Sequence, residues 1–253
     1  MLAAVGFNRA QKGEIYEVGY TVLRGQVAPE LVHRARKAIN HSLGEGLDPA
    51  DLPTMRAQTY CPELRNSPVI TDLFNATSAV ELAESVLGEG TFERPTGGQI
   101  ALRFPRADDD LPPFRPHLDG FPTPTNGVAS GTIGSFTALV GVLLSDLPEP
   151  NSGNFTVLPG THRSTEAYFQ EHGPKAFLDG FPKIEQPEPI HLTGNAGDMI
   201  FCHYQLAHGI APNISSNIRY AIFFRLTHRD HYQDKEARLA DIWRDWPGIR
   251  SLS

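Results

Sequence analysis

The sequence predicts a mainly β protein with flanking helices, built as a sandwich or a barrel. From about residue 98 onward, short apolar and β-branched runs alternate with turns that contain glycine and proline, which is typical of these two architectures. Before that point, apolar residues recur three and four positions apart, as on one face of a helix. No internal repeat or interdomain linker interrupts the chain. We therefore interpret residues 1–253 as one domain, large enough to bury a substantial core.

The first part of the chain is predicted to be helical around one early strand. Its elements are a short helix or arm over 1–18, a strand over 20–23, a helix over 28–39, a loop-rich stretch over 47–68, and two helices over 69–74 and 78–87. Pro29 stands near the first turn of its helix, and Gly88 follows the last helix, where glycine is the preferred terminator.

The second part is predicted to be stranded. The expected strands cover 99–104, 136–144, 154–158, 199–202 and 218–226, with a helix over 164–171 capped by Ser164 and a tail of helical composition over 230–246. The run over 136–144 is almost continuously apolar, which favours burial on both faces of the strand. Two long loops, 105–116 and 120–134, are expected to act as lids or binding loops, although irregular surface crossings are the alternative.

Composition excludes several classes of partner. The chain carries 22 basic and 29 acidic residues, a net charge of −7, without a basic cluster. We therefore expect no nucleic-acid partner and no membrane association. Two cysteines, and an N-terminus without the pattern of a signal peptide, predict a cytoplasmic protein in a reducing compartment.

One short segment carries the chemistry. His117 and Asp119 are two positions apart, so both can reach one metal ion, and two histidines with one carboxylate form the ligand set of non-haem Fe(II) oxygenases. A lone H-x-D triplet is common by chance, but His208 can supply the second histidine. It is preferred over His203 and His191 because Gly209 follows it and because an arginine, Arg219, begins an apolar strand eleven residues later.

These features resemble the phytanoyl-CoA dioxygenase family of Fe(II)/2-oxoglutarate oxygenases. The segment Asn151–Arg163 is similar to that family's N-G-x-L-x-V-x-P-G-S/T-H motif, and Gly197-Asp198-Met199, His208-x-x-x-Pro212-Asn213 and Gly19–Gly25 match other parts of it. The resemblance implies a double-stranded β-helix, the cupin-like jelly roll. It also implies Fe(II), 2-oxoglutarate and O2, with oxidation of a small molecule, usually hydroxylation, and release of succinate and CO2.

The resemblance also implies how the cosubstrate binds. Arg219 is the expected partner of the distal carboxylate of 2-oxoglutarate, and its planar fork suits that group. Arg225, six residues on, is expected on the same strand face and is the next candidate. Many family members carry a serine two residues after the distal histidine, where this chain has Ile210. Gln99 and Thr137 are the predicted substitutes, each with an ordinary strand polar residue as the alternative.

Two other functions stay open at this point. A cupin-like dioxygenase or isomerase would keep the metal ligands without using 2-oxoglutarate, and would have no need of Arg219. A non-catalytic ligand-binding barrel would need neither the metal ligands nor Arg219. The intact ligand set at 117, 119 and 208 speaks against the barrel.

Overall fold

Two facing antiparallel sheets form the body of the protein in the computed structural model, which describes residues 6–108 and 111–252. The strands in this part of the chain are β1 (Tyr20–Leu23), β2 (Gln99–Arg103), β3 (Ala138–Leu143), β4 (Phe155–Val157), β5 (Ile190–His191), β6 (Met199–His203), β7 (His208–Ile210) and β8 (Arg219–Leu226). The larger sheet has the order β1-β6-β3-β8-β2 and the smaller one β5-β4-β7. Antiparallel sheets with flanking helices confirm the predicted jelly roll.

Helices flank the two sheets. They are α1 (Arg9–Val18), α2 (Pro29–Gly44), α3 (Leu52–Ala57), α4 (Pro68–Asn75), α5 (Ala79–Leu87), α6 (Thr161–His172), α7 (Ala237–Ala240) and α8 (Pro247–Arg250). Of these, α6 and α7 pack against the core between the sheets, and the others cover the outer face of the larger sheet. Helix α1 begins at a reciprocal cap between Asn8 and Gln11 and ends at Gly19, whose positive φ of 87° suits glycine. No helix in the described ranges is both long enough and apolar enough to span a bilayer.

The core has two layers, separated by the larger sheet. The outer layer lies between that sheet and the helices, and Val140 and Ile222 contribute to it. The inner layer lies between the two sheets and includes Leu139 and Phe223. Every residue of β3 is buried, which confirms the prediction for its apolar run. The inner layer ends where the cavity described below begins.

The helix after the Pro159-Gly160 turn begins earlier than predicted, and Ser164 is not its cap. Gly160 takes the cap position with φ of 78°, and α6 starts at Thr161. The hydroxyl of Thr161 donates to the Leu158 carbonyl oxygen at 2.7 Å, so the first helical residue is hydrogen-bonded to the turn that precedes it.

The tail also differs from its prediction as a helical stretch. It holds only short helical turns, because side chains tie it to the body instead of to itself. Trp246 is fully buried, the Ile242 N–H donates to Glu166 Oε1 at 3.0 Å, and Gln205 Nε2 donates to the Leu239 carbonyl oxygen at 2.9 Å. In the stretch predicted to be loop-rich, the structure adds the short helix α3.

Candidate metal centre

Three predicted ligands converge at one end of the space between the sheets. The Asp119 Oδ1 atom lies 3.5 Å from His117 Nε2 and 3.8 Å from His208 Nε2. All three candidate ligand atoms lie within 4.8 Å of one another, and no other such group of histidine, cysteine and carboxylate side chains occurs in the described ranges.

The backbones of the two histidines are bonded to each other. The His117 N–H donates to the His208 carbonyl oxygen at 2.8 Å, and the His208 N–H donates back to His117 at 3.1 Å. This reciprocal pair forms because β7 carries His208 past the segment that holds His117. Two residues far apart in the chain therefore present their rings side by side, with centroids 4.6 Å apart.

His208 is held in the form that a metal requires. Its Nδ1 donates to the Leu206 carbonyl oxygen at 2.8 Å, which leaves the Nε2 lone pair facing Asp119. Burial lowers the pKa of His208 to about 4, and the neighbouring His117 acts in the same direction. The imidazole is therefore neutral near pH 7 and able to ligate.

Arg225 fixes the orientation of the Asp119 carboxylate. Its Nε and Nη2 atoms donate to Asp119 Oδ2 at 3.2 and 2.9 Å, so that Oδ1 is the oxygen turned toward the histidines. Burial by itself would raise the pKa of Asp119, but the Arg225 guanidinium and the two histidines hold that pKa well below its usual range. Asp119 is thus ionised, with one carboxylate oxygen turned toward the two histidines.

The predicted cosubstrate residue Gln99 lines the same cavity. Its Oε1 accepts a hydrogen bond from Arg225 Nη1 at 2.9 Å. The Arg225 guanidinium also lies over the Phe136 ring, 5.5 Å from its centroid. Gln99 and Phe136 therefore support the arginine that orients Asp119, and a direct contact of Gln99 with a cosubstrate stays a prediction.

Arg219 is buried in the wall of this cavity, with 3% of its surface exposed. Its Nε donates to the Gly153 carbonyl oxygen at 2.8 Å and its Nη1 to that of Ala101 at 3.0 Å. Burial, followed by the nearby charge of Arg103, lowers the pKa of Arg219 to about 9, so it stays protonated near pH 7. Arg225 lines the same cavity, as the six-residue spacing predicted.

Thr137 does not lie in the cavity, which corrects its predicted role in binding the cosubstrate. It stands just before β3, where its hydroxyl accepts a hydrogen bond from the His228 N–H at 2.9 Å. It lines a separate small cavity beneath the tail instead. The hydroxyl of Thr137 is occupied by the backbone of the chain that leaves the neighbouring strand β8. The alternation of residues in the sequence does not reveal such a contact.

The cavity has a volume of about 390 Å³, and its walls combine apolar side chains with many polar and charged ones. Ile210, at the position of the family's serine, forms part of that wall. Phe121, Thr123 and Asn126, from the predicted loop 120–134, also line it. The loop 105–116 borders an adjoining groove, although residues 109–110 of that loop lie outside the described ranges.

The residues present fit a divalent transition metal. Two imidazole nitrogens and one ionised carboxylate oxygen lie close together, and two ligand atoms each ~2.1 Å from one ion can be at most about 4.2 Å apart. The separations of 3.5 and 3.8 Å satisfy that limit. All three side chains also line the cavity, so a metal held by them would be reached from that space.

A family model supports the same conclusion from the sequence. The model of phytanoyl-CoA dioxygenase matches residues 15–221, which is most of the chain. The protein belongs to the phytanoyl-CoA dioxygenase family. Members use Fe(II), 2-oxoglutarate and O2, as the resemblance implied, and the chain is accordingly an Fe/2-oxoglutarate-dependent oxygenase-type enzyme.

Solved structures share the fold at low sequence identity. HygX from Streptomyces hygroscopicus, with nickel and 2-oxoglutarate bound, is 18% identical with a TM-score of 0.59, covering 88% of each chain. EctD from S. alaskensis in its apoform is 21% identical with a TM-score of 0.58, covering 90% of this chain and 79% of EctD. The carbocyclase SnoK from nogalamycin biosynthesis is 17% identical with a TM-score of 0.54, covering 90% of each chain. No curated protein sequence matches the chain.

Sequence reasoning missed the pairing of Arg225 with Asp119. The two residues are 106 positions apart, and Arg225 was considered only as a second anchor for the cosubstrate. The available signal was that a carboxylate ligand has a second oxygen that needs a partner. An arginine on the cavity face of a neighbouring strand can supply it.

Proposed function

We propose that this protein is an Fe(II)- and 2-oxoglutarate-dependent dioxygenase that hydroxylates, or otherwise oxidises, a small-molecule substrate and releases succinate and CO2. The observation that carries the proposal is that the His117, Asp119 and His208 cluster and the buried Arg219 open on one cavity. The proposed metal ligands and an arginine able to bind a carboxylate thus line the same cavity.

The proposed metal ligands are His117, Asp119 and His208. A bound Fe(II) would supply the oxidative chemistry with O2, while the protein holds the ligands and excludes competing reactions. No separate protein acid or base is needed. The protein's part is to keep His208 neutral through the Leu206 carbonyl, and Asp119 ionised and directed through Arg225.

Arg219 is proposed to bind the distal carboxylate of 2-oxoglutarate. Two of its nitrogens are anchored on backbone carbonyl oxygens, which fixes the plane of the guanidinium before any ligand arrives. Nη2 has no hydrogen-bond partner among the described residues, so it is free to meet a carboxylate. A buried guanidinium without an anion is costly, which favours this function over a cupin-like enzyme that does not use 2-oxoglutarate.

The small-molecule substrate is proposed to enter between the loops 105–116 and 120–134, whose residues border the cavity and the adjoining groove.

Cys61 and Cys202 are both free and buried. Their free thiols are compatible with the proposed cytoplasmic setting.

The test is spectroscopic and needs no knowledge of the substrate. Under anaerobic conditions, Fe(II) followed by 2-oxoglutarate should produce the weak visible charge-transfer band of the chelate. Admission of O2 should then yield succinate slowly without added substrate. His208→Ala should abolish both signals, whereas Arg34→Gln, on the outer helix α2, should leave both intact. A wild-type protein that binds Fe(II) but gives neither band nor succinate would contradict the proposal.

A further inference from the structure

The walls of the metal cavity and of the adjoining groove are strongly basic, in contrast to the chain as a whole. The net charge of the chain is −7. Yet these walls contain six arginines, namely Arg56, Arg103, Arg106, Arg115, Arg219 and Arg225. The carboxylates that line the same walls, within the described ranges, are Asp119 and Asp108.

Both of these carboxylates already have an arginine. Asp119 pairs with Arg225 at 2.9 Å, and Asp108 pairs with Arg106 at 2.7 Å. Arg219 is bonded to backbone carbonyls and is the proposed partner of 2-oxoglutarate. The basic excess of the walls is therefore carried by the arginines that remain.

Arg56 and Arg103 stand out among these because they line both the metal cavity and the groove, at the junction of the two. Both are exposed, and neither side chain has a hydrogen bond or ion pair with any residue of the described ranges. Although Arg103 keeps exposed surface, partial burial of its guanidinium lowers its pKa, and the charges of Arg56 and Arg106 lower it further. Like charges gathered in this way are unfavourable unless an anion joins them.

The pairing of β2 with β8 places Arg103 next to Arg219. The two are direct partners across the β2–β8 ladder, so their side chains leave the same face of the sheet. Both stems pass over Gly153, where an added Cβ would lie 2.9 Å from Arg103 Cβ and 3.1 Å from Arg219 Cβ. Gly153 thus allows two guanidinium groups to share one wall, one buried and one at the cavity mouth.

We propose that Arg56 and Arg103 form a binding site for an anionic group of the prime substrate, a carboxylate or a phosphate. This inference rests on the proposed function, since it concerns the substrate of that same centre. The anion is held at the junction, and the remainder of the molecule extends into the cavity toward His117. The substrate class is accordingly a small organic acid or a phosphate ester, with its oxidised carbon distant from its charge.

The experiment measures anion binding directly. Inorganic phosphate and acetate, which represent the two sources of charge, are titrated at constant ionic strength against protein loaded anaerobically with Fe(II) and 2-oxoglutarate. Thermal unfolding and calorimetry follow binding. At least one anion should bind saturably, and Arg56→Gln and Arg103→Gln should each weaken it by roughly tenfold. Arg34→Gln makes the same change in net charge on an exposed part of α2 and should have no effect.

Three results would overturn the proposal. One is that neither anion binds saturably to the wild-type protein. Another is that Arg34→Gln weakens binding as much as Arg56→Gln, which would indicate a general charge effect. The third is that the Arg56 and Arg103 variants weaken 2-oxoglutarate and leave the anion unaffected, which would assign both residues to the cosubstrate.

The same titration without metal and 2-oxoglutarate separates this proposal from the proposed function. Arg56 and Arg103 are not ligands, so anion binding should persist in the unloaded protein. Persistence together with a missing charge-transfer band would contradict the oxygenase function alone. Loss of the anion with an intact band would contradict the anion site alone.

Discussion

Replacement of Arg225 by glutamine should weaken metal binding although Arg225 is not a ligand. Its two hydrogen bonds to Asp119 Oδ2, at 3.2 and 2.9 Å, are what turn Oδ1 toward His117 and His208. Without them the carboxylate can rotate, and its burial is no longer offset by a positive charge. Gln99→Ala, which removes only the support of Arg225 at 2.9 Å, should have a smaller effect in the same direction.

The magnitude follows from two opposing effects. A hydrogen bond to a charged group contributes ~1.5–3 kcal/mol, and partners of metal ligands typically change metal affinity 10- to 100-fold. Arg225 has 40% of its side chain exposed, which reduces that contribution. Its charge also repels a dication, by about 1 kcal/mol in a solvent-screened site. We therefore expect the lower end of the range, about a tenfold higher dissociation constant.

Anaerobic titration with Co(II), followed by its visible absorption, measures this change without turnover. Arg229→Gln is the matched control, because it removes the same charge from an exposed position four residues along the chain. Arg225→Lys should recover part of the affinity, since it restores the charge without the fork. If Arg225→Gln binds Co(II) as tightly as the wild type, or more tightly, the carboxylate does not depend on Arg225 and the reasoning fails.

Three further predictions concern single residues. Asp119→Ala should abolish turnover and lower metal affinity while circular dichroism and thermal unfolding show an intact fold; unchanged succinate formation would refute its role. Arg219→Lys should raise the apparent KM for 2-oxoglutarate, and Arg219→Ala should raise it by about 100-fold, with Co(II) affinity nearly unchanged; an unaltered KM would move the anchor elsewhere. Asp198→Asn should lower the free energy of unfolding by roughly 1–3 kcal/mol near pH 7, because this buried carboxylate accepts hydrogen bonds from Asn195, Gly25 and Arg24. Burial alone would raise the pKa of Asp198, but these donors lower it, so its contribution is present above the usual carboxyl pKa and is lost as pH falls through the folded value. In urea unfolding, the difference between wild type and Asp198→Asn should therefore shrink below about pH 4; a constant difference would contradict this account.

The sequence predicted those features that local pattern determines. The strand at 20–23 and the helices α4 and α5 follow from apolar periodicity with glycine or proline at their ends. The run in β3 was correctly expected to be buried on both faces. The short strands β5 and β7 were missed, since two or three residues carry no periodicity. They exist because the neighbouring strand β4 offers them backbone partners.

In the candidate site, too, local sequence pattern predicted some features, whereas others depend on contacts between distant strands. Ligand types and spacing identified His117, Asp119 and His208, which the fold does bring together. Thr137 was misplaced, because the position of a hydroxyl at a strand end depends on the chain that leaves the adjacent strand. The partner of Asp119 Oδ2 also depends on register between distant strands, which a single sequence does not reveal.

The reciprocal backbone bonds between His117 and His208 have a consequence for assembly of the centre. The two proposed ligands are 91 positions apart, so the proposed ligand set cannot form until a long loop has closed and β7 has docked. A metal ion then has little to bind in the unfolded or partly folded chain. If the proposed centre binds its metal in this way, the stabilising effect of the metal should appear mainly as slower unfolding, with loading after the chain has folded.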